Sequence, residues 1–157
     1  MCFLSFHRNT PVLPPPRHHT KNADHQAASK NLDSSEKIYL GGANGVRAYP
    51  SSEAGGSEGN TFTAELRQRL GPQWLLTGFY DYGRVTTNKN NNNAANPNSY
   101  NLQGYGASVA WLGMQNVEIK ATLSQRMGNN PAAKSNGNDS DGTKKVTRVW
   151  LSTSIAF

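Results

Sequence analysis

The sequence predicts an all-β protein built from antiparallel strands. Segments of about ten residues alternate between apolar and polar side chains, and stretches rich in Gly, Asn and Pro separate them. This pattern is typical of strands joined by turns. Only 35% of the 157 residues are hydrophobic, and no stretch reaches the roughly 20 consecutive apolar residues that a transmembrane helix requires. A helical membrane protein is therefore excluded.

Five segments show the alternation clearly, and each has about the 9–11 residues that a tilted strand needs to cross a bilayer. The predicted strands cover residues 61–70, 74–85, 101–112, 117–127 and 148–157. A weaker sixth segment lies near residues 25–31. Residues 1–22 are rich in proline and have no periodicity, so we expect a disordered segment foreign to the fold. The β-sheet part would then span residues 23–157.

The two faces of the predicted strands differ in charge. Because successive side chains of a strand point to opposite sides, residues of the same parity share a face. One face carries the large apolar residues, and Arg84 near a strand end is its only charge. The other face carries Glu65, Arg67, Arg69, Asp81, Glu118, Lys120, Arg126 and Arg148. A soluble sandwich would show the same alternation, so parity alone does not identify a membrane protein.

The lengths of the connections favour a transmembrane β-barrel. Short turns at residues 71–73 and 113–116 alternate with long Asn-rich connections, and membrane barrels have short periplasmic turns and long external loops. This arrangement places Trp74, Trp111 and Phe157 at the periplasmic interface, where an aromatic girdle is expected. Both Asn-rich connections are expected to be external polar coil. The segment of about residues 32–60 becomes the longest external loop.

That long segment contains Val46-Arg47-Ala48-Tyr49, and residues 79–83 read Phe-Tyr-Asp-Tyr-Gly. These motifs resemble those of the ShlB/FhaC/HecB haemolysin activation and secretion family, the transporters of two-partner secretion. In that family a long external loop folds back into the barrel with Val-Arg-Gly-Tyr/Phe at its tip, and Phe-x-Asp-x-Gly lies on the barrel wall. Ala48 stands where the family usually has Gly, and a positive φ there would be costly.

The end of the chain adds to the resemblance. Phe157, with Ile155 and Leu151 at alternate positions, resembles the sorting signal that the barrel assembly machinery reads. The resemblance implies the last five or six strands of a sixteen-stranded antiparallel barrel in the cell outer membrane. It also implies a secreted partner protein of the haemolysin or adhesin type. Two alternatives stay open: a barrel of the same superfamily that inserts outer-membrane proteins, and a soluble β-barrel binding module.

The resemblance and the parity of the strands together predict a contact. Asp81 points into the lumen, which is where a loop entering the barrel would arrive. A guanidinium in a confined lumen stays charged and needs an anion. We therefore predict a salt bridge between Arg47 and Asp81, with Tyr49 and Phe79 packed around it.

An alternative is that Arg47 is solvated and that Asp81 contacts Arg67 or Arg126 on neighbouring strands. The lumen-facing charges as a group have two interpretations. A mixed-charge lining would keep the lumen hydrated for an unfolded polypeptide without binding the polypeptide tightly. Any water-filled barrel, however, needs a polar lining, and such charges also pair across strands.

We expect no catalytic site, no metal and no cofactor. Residues 41–45 are glycine-rich but lack the Lys-Ser/Thr of a phosphate-binding loop. Residues 139–142 resemble part of a calcium loop but lack its downstream Glu, so an external turn is expected. The histidines have neither zinc-site spacing nor a place in a Ser/His/Asp triad. The net charge of +6 is scattered along the chain, so nucleic acid is not an expected partner.

The start of the chain predicts no signal peptide, because residues 1–6 have neither a basic region nor a long apolar stretch. The predicted strands are also too few to close a barrel, and a bilayer does not tolerate open strand edges. We therefore expect a fragment of a larger parent that is not competent for transport alone.

Overall fold

The structure is a computed structural model that describes residues 18–26, 36–88, 98–113 and 117–155. Its strands are β1 His18–Gln26, β2 Ile38–Tyr39, β3 Gly55–Gly56, β4 Glu58–Leu70, β5 Trp74–Thr86, β6 Ser99–Leu112, β7 Val117–Arg126 and β8 Thr147–Ile155. Among the described residues, none forms a helix with the length and apolar character needed to span a membrane.

Six strands form one sheet in the order β1-β4-β5-β6-β7-β8, and β2 pairs with β3 in a small separate sheet. All of these pairs are antiparallel, so the predicted all-β antiparallel class is confirmed. The five clearly alternating segments correspond to β4 to β8. The first of them begins at Glu58, earlier than the expected residue 61.

The strand β1 corrects our expectation for the N-terminal part. We expected residues 1–22 to be irregular and a weak strand near residues 25–31, whereas β1 covers His18–Gln26 and pairs with β4 along its whole length. Eight of its nine residues are polar and Ala23 is the exception, so no apolar–polar alternation marks it as a strand. The pairing of β1 with β4 is made by main-chain N–H and C=O groups, and every residue except proline supplies both. Residues 1–17 and 27–35 lie outside the described residues.

The outward face of the sheet is apolar and exposed. Cross-strand register aligns its large side chains, for example Trp74 opposite Trp111 and Leu76 opposite Val109. Further along the sheet, Leu151 is 75% exposed. Exposed apolar surface of this extent is rare on a soluble monomer and marks a surface that contacts a partner or a membrane.

The opposite, inward face is covered by residues 36–57, which we call the inward loop. The buried core lies between this loop and the sheet, and it consists of Leu40, Val46, Ala48, Tyr49, Ala54, Val85 and Leu102. The first five of these belong to the inward loop, whereas Val85 and Leu102 lie on β5 and β6. The core is therefore built by packing of the inward loop, which includes the small β2-β3 sheet, on the six-stranded sheet.

The connections follow the predicted short and long alternation. Residues 71–73 join β4 to β5, and residues 127–146, which we call the β7–β8 loop, join the last two strands. This loop is not the simple polar coil or external turn that we expected, because Asp139 within it is only 1% exposed. The expected coil at residues 90–93 lies outside the described residues, as does Phe157.

Candidate functional site

The tip of the inward loop, Val46 to Tyr49, is buried against the inward face of the sheet. The main-chain N–H of Val46 donates to the carbonyl of Leu40 over 2.7 Å, and that of Tyr49 donates to the carbonyl of Val46 over 3.1 Å. These two bonds fold the tip into a compact turn. Arg47 is 7% exposed although it carries a full charge, so its partners determine whether the tip can stay buried.

Asp81 on β5 is the main partner of Arg47. Its Oδ2 accepts hydrogen bonds from Nε of Arg47 at 2.9 Å and from the main-chain N–H of Arg47 at 3.0 Å. Its Oδ1 accepts from Nη2 of Arg47 at 2.8 Å and from the hydroxyl of Thr63 at 3.0 Å. The structure thus brings the two residues together as expected, through a bidentate contact that suits the planar guanidinium.

Glu65 on β4 is a second anion at this site. Its Oε1 accepts from Nη1 of Arg47 at 2.9 Å, and its Oε2 accepts from Nη2 of Arg67 at 2.6 Å. Arg67 therefore contacts Glu65, and the alternative in which it neutralises Asp81 is not what the structure shows. Two arginines and two carboxylates balance in charge. Three of these groups are at most 8% exposed, and the fourth, Arg67, is 33% exposed and balances the remaining negative charge from the edge of the site.

Phe79 completes the site from the same strand as Asp81. The Cζ of Arg47 lies 3.5 Å from the centroid of the Phe79 ring, in a cation–π contact that also shields the guanidinium from water. Tyr49, which we expected beside it, faces a different cation: the guanidinium of Arg126 lies 5.5 Å from its ring centroid.

The geometry gives a physical reason for each position of the motif at residues 79–83. Alternate residues of β5 point inward, so Phe79, Asp81 and Gly83 lie on the same face as the loop tip. Phe79 and Asp81 contact Arg47 directly. A Cβ at Gly83 would lie 2.9 Å from Cγ2 of Val46, which is too close for carbon atoms. The third position therefore requires glycine, because the tip packs on its Cα.

Ala48 is accommodated by a glycine on the neighbouring strand. Its φ is not positive, so the strain that we considered at this departure from the family motif does not arise. A Cβ at Gly104 of β6 would lie 2.4 Å from the Cβ of Ala48. The missing side chain at Gly104 provides the space for the methyl group that Ala48 adds to the tip. Gly104 belongs to neither sequence motif, and we did not predict its role.

The carbonyl of Arg47 is bound by the last two strands. It accepts hydrogen bonds from the hydroxyl of Ser124 on β7 at 2.7 Å and from Nε1 of Trp150 on β8 at 2.7 Å. One residue of the loop therefore connects β4 and β5 through its side chain with β7 and β8 through its main chain. We did not predict either donor from the sequence, because their shared acceptor is a main-chain carbonyl, which every residue has.

We expect Trp150→Phe and Ser124→Ala to lower the free energy of unfolding by about 1 kcal/mol each, the usual net value of a hydrogen bond. The double variant should lose more than the sum, since it leaves the buried carbonyl with neither donor at a cost of about 1–3 kcal/mol. Urea unfolding of the four proteins, followed by circular dichroism, measures this. Additive losses would contradict the shared carbonyl as the cause.

The electrostatic environment keeps Arg47 ionised. Burial lowers the pKa of Arg47, but the hydrogen bonds and charges of Asp81 and Glu65 raise it by more, so that the net change is upward. The guanidinium is therefore a permanent cation whose location is set by the two carboxylates. These contacts hold the loop tip on β4 and β5.

The other predicted lumen charges do not join this site. Arg126 and Arg148 contact Asp139 of the β7–β8 loop, at 2.8 Å each. Arg69 is exposed, whereas Glu118 and Lys120 are half-buried near the short turns. Within the described ranges, no group of three His, Cys, Asp or Glu side chains is placed to hold a metal ion.

A sequence model of the family described as haemolysin secretion/activation protein ShlB/FhaC/HecB matches residues 4–111 of the chain. The match includes the loop tip, the β5 motif and Gly104. It also includes residues 4–22, which we expected to lie outside the family resemblance. That expectation was wrong: it rested on the prolines and the lack of periodicity in residues 1–22, and the family match begins at residue 4.

Two curated relatives are also similar. The heme/hemopexin transporter protein HuxB of Haemophilus influenzae strain 86-028NP is 33% identical over 111 residues, which are 67% of this chain and 20% of that protein. The same protein of strain KW20 / Rd is 32% identical over 111 residues, with the same coverage of 67% and 20%. The chain thus spans about a fifth of the length of these relatives. No solved structure matches the chain at a significant level.

The family match covers most of the chain and contains Glu65, Asp81 and Phe79, which contact the Arg47 side chain. Sequence similarity and site geometry therefore agree on the same two motifs. The chain belongs to the ShlB/FhaC/HecB family of haemolysin secretion/activation proteins.

Proposed function

We propose that this chain is part of a two-partner secretion transporter, a β-barrel that exports a large haemolysin- or adhesin-type protein through its lumen across the cell outer membrane. The observation that carries the proposal is the placement of Arg47. An apolar face of the sheet is exposed on one side, while a loop with a buried arginine is bound by carboxylates on the other.

The two faces of the sheet fit a barrel wall. Outward residues such as Leu123, 55% exposed, would contact lipid, where an apolar side chain costs nothing and a charge costs about 2–4 kcal/mol at the midplane. Within the described sheet, β1 and β8 each pair on one side only. In our proposal these two edges pair with the remaining strands of a sixteen-stranded barrel, which leaves no free edge in the bilayer.

The inward loop would occupy the lumen at rest. Arg47 of its tip binds groups on β4, β5, β7 and β8, so release of this one residue would remove polar contacts of the tip with four strands. A partner polypeptide that enters the lumen needs the space that the tip fills. The water-filled part of the lumen would then be lined by Arg69, Glu118 and Lys120. Phe157 would be the signal that the barrel assembly machinery recognises.

The alternative of a barrel that inserts other outer-membrane proteins would use the same two motifs. The curated relatives are named as transporter proteins, which favours export. A soluble binding module is disfavoured by the large apolar side chains on the outward face, since water contact with them has no compensation. The described core lies under the loop rather than inside a closed soluble barrel.

Export itself tests the proposal. A complete family transporter in which this segment replaces the equivalent one should release its partner protein into the medium, and Arg47→Ala should reduce that release. Outer-membrane levels and heat-modifiable mobility of both barrels are measured in parallel, so that a loss of assembly is not mistaken for a loss of transport. Unchanged secretion by the Arg47→Ala transporter would remove the role that we assign to this residue.

A further inference from the structure

A second buried carboxylate lies on the inward side, outside the Arg47 site. Asp139 in the β7–β8 loop accepts hydrogen bonds from Nη1 of Arg126 at 2.8 Å, from Nη2 of Arg148 at 2.8 Å and from Nδ2 of Asn130 at 2.9 Å. Its side chain is 1% exposed, and those of the two arginines are 8% and 10% exposed. Asp141 binds the other side of Arg148 at 2.7 Å.

The two arginines come from adjacent strands and point to the same side of the sheet. Without an anion between them they would repel each other, because like charges in a buried site are costly. Burial raises the pKa of Asp139, but the hydrogen bonds from Asn130, Arg126 and Arg148 lower it by more, so the pKa falls below its usual value. Asp139 is therefore ionised and fixes the β7–β8 loop on the inward face.

The residue next to Asp139 contacts the inward loop. The main-chain N–H of Ser140 donates to Oε2 of Glu53 at 2.7 Å, and its hydroxyl donates to the carbonyl of Ser51 at 3.2 Å. Glu53 is itself 2% exposed, and its carbonyl accepts from the N–H of Leu40 at 3.1 Å. The chain of contacts thus runs from β7 and β8, through Asp139 and Ser140, to the base of the inward loop.

We propose that Asp139 is a second positioning residue of the inward loop, which holds residues 51–53 of that loop through Ser140 independently of the contact between Arg47 and Asp81. The inward loop then has one anchor at its tip and another where it returns to β4, and Arg126, which binds Asp139, also lies over the Tyr49 ring at the tip. The consequence for transport rests on the proposed function: a partner entering the lumen would have to displace both anchors.

The positioning role is tested by a distance. Spin labels are placed at Ala43 of the inward loop and Ser135 of the β7–β8 loop, both exposed, in a complete family transporter that carries this segment, has Cys2→Ser and has no other cysteine. In lipid vesicles they report whether the two loops stay together. Asp139→Asn should raise the displaced population at least about tenfold, because removal of one partner of a buried ion pair costs well over the free energy of a tenfold change. Lys145→Gln, an exposed charge change in the same loop, is the matched control and should leave the distance distribution unchanged.

A second variant covers the case in which Asp139→Asn does not fold. Glu53→Ala removes the acceptor of Ser140 and leaves the Asp139 cluster intact, so it should produce the same displacement. A distance distribution that stays unchanged in the folded variants would overturn the proposal. If the loops separate but export by a complete transporter carrying the substitution is unaltered, the positioning role stands and the role of the inward loop in transport is contradicted.

Discussion

Asp81→Asn should destabilise the protein by about 3–5 kcal/mol, the usual cost of removing one partner from a buried ion pair. The carboxylate of Asp81 accepts three hydrogen bonds from Arg47 and one from Thr63. An asparagine has the same shape, but it is neutral and turns one acceptor into a donor that faces other donors. Arg47 would then keep only Glu65 as an anion, and we expect the loop tip to leave the sheet.

Urea unfolding measures the loss of stability, and hydrogen exchange at the main-chain N–H of Arg47, which donates to Asp81, measures the release of the tip. Arg67→Gln is the matched control at the same site. It breaks the contact with Glu65, but Arg67 is 33% exposed, and solvent-accessible ion pairs contribute less than about 1 kcal/mol. Equal losses in the two variants would show that Asp81 is not the main anchor.

Gly104→Val is the second substitution with a large expected effect. The Cβ of any side chain at this position would lie 2.4 Å from the Cβ of Ala48 and 3.2 Å from the carbonyl oxygen of Gln125. Strand β6 cannot retreat, because it pairs with both β5 and β7. The loop tip must therefore move away from the sheet. We expect the free energy of unfolding to fall by about 1–3 kcal/mol, which is typical of overpacking, or by more if the Arg47 contacts are lost as well.

Gly78→Val provides the control on the neighbouring strand. A Cβ there meets no atom within 4 Å, and valine favours the strand conformation. Its stability should equal or slightly exceed that of the wild type. Protease cleavage within the inward loop, compared between the two variants, shows whether the tip has moved. A Gly104→Val protein as resistant as Gly78→Val would mean that the tip does not pack on β6.

The sequence was informative wherever side chains alternate. The alternating apolar residues of β4 to β8 identify both the strands and their two faces. The alternation is this regular because a shift of one residue would move every side chain of a strand to the wrong face. Arg47 and Asp81 could be paired from two short motifs, since a buried guanidinium requires an anion. The strand β1 could not be predicted, because its side chains show no apolar–polar alternation. Only its main-chain pairing with β4 makes it a strand, and main-chain groups are the same for all sequences.

Other parts of the site depend on contacts between residues far apart in the chain. Ser124 and Trp150 donate to the main-chain carbonyl of Arg47, and no pattern of side chains predicts such an acceptor. Gly104 is required only because Ala48 lies over it, so its role follows from the path of the loop. Asp139 was interpreted as part of an external turn because its partners on β7 and β8 become neighbours only when the β7–β8 loop folds inward.

The central claim is that lipid contacts the apolar face of the sheet while the loop and its arginine occupy the other. The three tryptophans of the chain test it directly. Trp74 lies on the outward face and is 47% exposed, whereas Trp150 points inward and binds the carbonyl of Arg47. Single-tryptophan versions of a complete family transporter that carries this segment retain either Trp74 or Trp150, with every other tryptophan changed to Phe, and they are folded into vesicles of brominated phosphatidylcholine.

Bromine quenches tryptophan fluorescence on contact, so the two proteins report which face the lipid touches. We predict strong quenching when Trp74 is retained and little quenching when Trp150 is retained. Equal quenching of both, or quenching of Trp150 alone, would contradict the assignment of the two faces and with it the transporter function that we propose.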